Sequence, residues 1–116
     1  MKIAFVLNES EDIVPITEGL VLRVYDSLSK SYNDYPNPAL ERKEGKRSAA
    51  LQFAIKQGAH ALAAPPETLC EQSYKFARKE QLSFISLPGP VPFNQIISQP
   101  LALTDQLPKK EIIPSV

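Results

Sequence analysis

With 116 residues, 43% of them hydrophobic and 22% charged, the chain has the length and balance of one globular domain around one core. Thirteen basic residues match thirteen acidic ones, so no global field draws it to nucleic acid or an anionic membrane, and no apolar run reaches the length of a membrane span. A single cysteine, Cys70, and a single histidine, His60, exclude an internal disulfide and any cysteine-rich zinc or iron–sulfur site built by one chain.

The first predicted element is a strand over residues 2–8. Ile3, Phe5 and Leu7 fall on one face and Ala4 and Val6 on the other, the pattern of a strand covered on both sides. Glu9, Glu11 and Asp12 follow at once, so this run reads as a strand and not as a signal peptide, and the expected location is the cytoplasm. Residues 8–17 are polar, contain Pro15 and read as a loop. A second strand is expected over 20–26. Ser27-Leu28-Ser29-Lys30 turns it into a third, more polar strand over 31–35, as an antiparallel hairpin. Tyr32 and Tyr35 do not share a period of two, which leaves the register there open.

Asn37-Pro38 opens a charged connector that runs to Gly45. Ala49, Ala50, Phe53, Ala54 and Gln57 recur at helical spacing and predict a helix over 46–57, with Gly58 as its stop. Residues 59–64 are short, apolar and closed by Pro65-Pro66, as a buried parallel strand would be. Pro66 and Glu67 suit the first turn of a second helix that reaches about Glu80, with Leu69, Cys70, Ser73, Phe76 and Ala77 inward. Residues 82–87 form the last predicted strand. Beyond it Pro88, Pro90, Pro92, Pro100, Pro108 and Pro114 leave room for one or two helical turns over 93–98. The chain thus divides into an α/β domain over 1–100 and a tail over 101–116. That tail, with Leu101, Leu103, Leu107, Ile112 and Ile113, is either disordered or docked on its own domain or on a second copy. The element order predicts a mixed α/β sheet of five strands, in the order 3-2-1-4-5 with strand 2 antiparallel, flanked by helices.

Met1-Lys2-Ile3-Ala4, Ile16-Thr17-Glu18-Gly19, Asn37-Pro38 and Lys56-Gln57-Gly58-Ala59-His60-Ala61-Leu62 together resemble the dinitrogenase iron–molybdenum cofactor-binding family over roughly residues 1–87. The resemblance implies a ribonuclease H-like motif, no catalytic residues, and a part in carrying or assembling an iron–sulfur precursor or the iron–molybdenum cofactor. It also directs attention to Glu18 and Gly19, and to the connector with Arg42, Gly45, Lys46, Arg47 and Ser48. At these positions the chain departs from the family. Glu18-Gly19-Leu20-Val21 stands where a histidine and Phe-Gly-Arg are frequent, the connector is basic where glycine and histidine are usual, and Pro65-Pro66 replaces glycines. The expectation is therefore a cluster bound without strong protein ligands.

From the residues alone, Gly45-Lys46-Arg47-Ser48 is the main candidate site. Free N–H groups, the positive end of a helix dipole and two cations suit an anion, against the alternative of a solvated loop capped by Ser48. It is not a Walker A loop, because Leu40 occupies the first glycine position and Arg47 follows the lysine. Cys70, near a helix start, is a candidate thiolate or shared cluster ligand, yet its spacing to Tyr74 and Ala77 is that of a packed stripe. His60 is either a metal ligand or a solvent-facing residue at a strand start. Glu9, Glu11, Asp12 and Asp26 resemble magnesium-binding nuclease carboxylates, but only Asp26 stands on a strand. Arg23 either anchors to Glu18 or Asp26 or lines the same cleft as the connector. Beside the carrier reading stand a homo-oligomeric interaction module, using the tail and an edge strand, and a binder of a phosphorylated small molecule at Gly45–Ser48.

Overall fold

A computed structural model describes residues 1–65, 68–98 and 112–113. Its main sheet has seven strands, β1 (Lys2–Leu7), β2 (Asp12–Ile13), β3 (Val21–Asp26), β4 (Ser31–Pro36), β5 (Ala61–Ala64), β7 (Ser83–Ser86) and β8 (Val91–Pro92). A separate pair joins β6 (Leu69–Cys70) to β9 (Ile112–Ile113), and the helices are α1 (Lys46–Lys56), α2 (Glu71–Lys79) and α3 (Phe93–Ile97). Two 3₁₀ turns, Ile16–Glu18 and Pro38–Glu41, complete the described elements. No helix among the described residues is long and apolar enough to cross a membrane.

The longer strands lie in the order β4-β3-β1-β5-β7. β3 is antiparallel to both of its neighbours, whereas β1, β5 and β7 are parallel. Five strands were expected in the sheet, and seven form it among the described residues. β2 pairs with the end of β1, Leu7 opposite Ile13, and β8 pairs with β2. The stretch over 8–17, expected as a loop, holds both β2 and the first 3₁₀ turn. Its apolar residues explain the difference: Ile13, Val14 and Ile16 are buried, and the Asn8 side chain closes the turn by accepting from the N–H groups of Ser10 and Asp12.

The second helix also differs from expectation. Leu69 and Cys70 belong to β6, and α2 begins only at Glu71. Their backbone is held extended by parallel pairing with Ile112 and Ile113, and just ahead the Thr68 hydroxyl accepts from the Ile16 N–H at 3.1 Å. Pro66 and Glu67, the expected first turn, lie outside the described residues, as do 99–111 and 114–116, the end of the predicted domain and most of the predicted tail.

Two-sided burial organises the rest. On one face Ala4, Val6, Leu22, Val24, Leu62, Ala64 and Phe84 pack against Ala50, Leu51 and Ala54 of α1 and Ala77 of α2. On the other, Ile3, Phe5, Leu7, Tyr25, Ala61, Ala63 and Ile85 pack against Phe93 and Ile96 of α3. Each fully buried large side chain contributes about 1.5–3 kcal/mol, so a sheet filled on both faces accounts for most of the fold's stability. α1 ends in a Schellman motif, with Gly58 at φ 93° and bonds from Gly58 N–H to Ile55 and from Ala59 N–H to Ala54.

Candidate functional site

Strand register decides which loops meet. Leu7 lies opposite Val21, and Val21 opposite Pro36, so the carboxyl end of β1 is level with the end of β4. The second 3₁₀ turn and α1 therefore start at that edge, where open α/β sheets place ligands. Asn37 ties the corner together. Its side-chain amide donates to the carbonyls of Ile16 at 2.7 Å and Gly19 at 2.9 Å, while its oxygen accepts from Ala39 N–H at 3.1 Å. Ile16 and Ala39 pack with Ala50 and Leu51 of α1 in one core cluster.

The expected site residues fall into this corner in different ways. Gly19 is buried because the chain passes close to β1: a Cβ there would press on Val6 Cγ1 and stand 2.8 Å from the Leu7 carbonyl oxygen. That requirement is structural. Glu18 and Arg42 are exposed, Arg42 closing the 3₁₀ turn. Gly45 is the N-cap of α1 at φ 65°, with open space around the position of a Cβ and no side chain capping the helix. Lys46 is exposed, Arg47 and Ser48 are half-buried, and the first turn contains no acid. Arg47 Nε is buried without a hydrogen-bond partner. Two cations thus stand at the positive end of a helix dipole that attracts anions, and one carries an orphaned donor.

Other candidates are dispersed. His60 is exposed at the opposite edge of the sheet, where its Nδ1 accepts from the Lys2 N–H at 3.4 Å. Cys70 ends β6 instead of standing one turn into α2, and its side-chain packing falls outside the described part of the chain. Asp26 lies opposite Lys2 at that same far edge, its carboxylate held below the usual aspartate range by the Leu28 N–H. No group of three metal-ligating side chains forms among the described residues. The carboxylates set beside a nuclease do not converge.

Arg23 corrects its expected partners. It reaches neither Glu18 nor Asp26. Its guanidinium meets Asp34 in a two-pronged pair at 2.7 and 2.9 Å, and Glu11 at 2.9 Å. It also lies 3.8 Å from the Tyr32 ring centroid and 4.6 Å from that of Phe93. Hydrogen bonding to Asp34 raises its pKa further, against the opposing effect of burial. Phe93 packs edge-on against Phe5, Tyr25 and Tyr32, and its N–H donates to the carbonyl of Glu11, itself at φ 62°. This cluster lies on the α3 side of the sheet and is satisfied. The split in tyrosine register is resolved as well, since Tyr35 turns to the α1 side and meets Phe53 edge-on.

The sequence matches no family model, and no curated protein matches it. Solved structures do. The apo form of the orange protein (ORP) from Desulfovibrio gigas superposes with a TM-score of 0.70 at 14% identity, covering 87% of this chain and 92% of that one. A provisionally assigned dinitrogenase from Methanocaldococcus jannaschii gives 0.58 at 17% identity, covering 90% and 94%. At such identities the likeness is one of fold.

Proposed function

We propose that this chain is a non-catalytic cytoplasmic carrier of an anionic cargo, a metal cluster of the kind handled by nitrogenase accessory proteins, held at the start of α1. The observation that carries the reading is the pair Lys46 and Arg47 at an uncapped helix N-terminus, with Arg47 Nε buried and unpartnered. A buried donor without an acceptor costs about 1–3 kcal/mol, which an acceptor brought within its reach would offset. The residues present suit electrostatic capture and not ligation, because no thiolate or imidazole set is gathered among the described residues. The strand order, with β3 antiparallel to both of its neighbours, supports a ribonuclease H-like reading of the sheet, and the fold shared with the orange protein and the provisionally assigned dinitrogenase supports the carrier class.

Anaerobic gel filtration with isolated iron–molybdenum cofactor tests this. Wild type is expected to retain the cluster at micromolar concentration, and the Lys46→Ala/Arg47→Ala double variant to bind it about 10–100-fold more weakly. Absence of retention by wild type, or equal retention by the variant, would falsify the proposal. The same donors suit a phosphate group, so a parallel thermal-shift series with phosphate esters separates the two cargoes. A rise with the esters and no cluster retention would favour the phosphorylated small molecule.

A further inference from the structure

Among the described residues β4 is the outermost strand on its side of the sheet, and Ser31, Tyr32, Asn33 and Asp34 are all exposed. Its inner pairing can be read from one bond. Asn37 N–H donates to the Leu20 carbonyl at 3.0 Å, and the unbroken β3–β4 register then places Tyr35, Asn33 and Ser31 in the bonded pairs. The N–H and C=O groups of Tyr32 and Asp34 therefore point outward, and no strand meets them among the described residues. Pro36 has no N–H to offer and closes the row.

Soluble proteins guard such edges with lysines, bulges or unpaired charges. β4 has no lysine and no bulge, and its one charge, Asp34, is already paired with Arg23. Tyr32 is left 48% exposed beside it. The outward groups are also self-complementary. A two-fold axis through Asn33 sets each Tyr32 against Asp34 of the partner subunit, and each such pair exchanges both N–H···O bonds. The same axis brings Asn33 beside its own copy, whose amide both donates and accepts, and keeps the two Asp34 carboxylates from facing each other.

We propose that a second copy of this chain adds its β4 to this edge, antiparallel and two-fold about Asn33, to make a continuous sheet through two subunits. This stands apart from the cargo reading and does not involve the start of α1.

Light scattering on the full chain up to about 200 μM tests the oligomer, since association is concentration-dependent. The expected mass is twice the 12.9 kDa of one chain. Asn33→Lys and Asn33→Glu place like charges at the axis, so each alone is expected to be monomeric, and an equimolar mixture to recover the dimer. That recovery also shows that both variants fold. Amide exchange at Tyr32 and Asp34 is expected to slow as wild-type concentration rises. A monomeric wild type, a dimeric Asn33→Lys, a mixture that stays monomeric, or exchange at these two amides independent of concentration each overturns the proposal. The last result would point to association through another surface.

Discussion

Arg23 shows how far single residues can be read before a structure exists. A charged residue inside an apolar strand demands a partner, because an unpaired buried charge is too costly to keep. Counting back from a hairpin closed by Asp26 and Ser31 puts Asp34 directly opposite Arg23, and Tyr32 two residues away on the same face. The need for a partner was legible in the sequence, but the register was open, and Glu18 or Asp26 was expected where Asp34 stands. Glu11 and Phe93 were not legible, since they arrive from distant loops. Asp34 is 40% exposed and Glu11 60%, so both retain access to water if the arginine is lost. Arg23→Met is accordingly expected to cost on the order of 2 kcal/mol, and Arg23→Met/Asp34→Asn less than the sum of the single changes. Urea unfolding of the four proteins in the cycle checks this, and additive costs would deny the coupling.

At the scale of elements, helix ends were legible where their chemistry is local. Gly58 was expected to stop α1 and supplies the left-handed residue of its Schellman motif. α2 uses the same motif with a less suitable residue. Gln81 N–H bonds to the Arg78 carbonyl and Leu82 N–H to that of Ala77, with Gln81 itself at φ 57°. Gln81→Gly is expected to raise stability by about 0.5–1 kcal/mol, measured as a higher thermal midpoint, because glycine adopts this conformation without steric cost. A lowered midpoint would deny that reading. The start of α2 was not legible. Pro66 and Glu67 resemble a helix start, but pairing with Ile112 and Ile113, more than forty positions on, keeps Leu69 and Cys70 extended.

For the whole molecule, two cores share one sheet, so β1 and β5 are sealed by helices on both sides. Their amides are expected to exchange only through global unfolding, while the amides of α3 exchange through local opening. Hydrogen exchange resolved by residue checks this. Faster exchange in β1 than in α3 would mean that the shared sheet is not the last element to open.

The sequence by itself pointed to the α/β class, the five longer strands and the helix that starts at Lys46, because alternation, helical spacing and glycine stops are short-range signals, while the expected strand order rested on the general rule for crossovers. Only the tertiary structure decided that residues 12–13 and 91–92 extend the sheet, that Glu11 and Phe93 converge on Arg23, and that Gly19 lies too close to Val6 and Leu7 to carry a side chain. Each of these depends on which distant backbones approach one another, and local residue patterns carry no record of that approach.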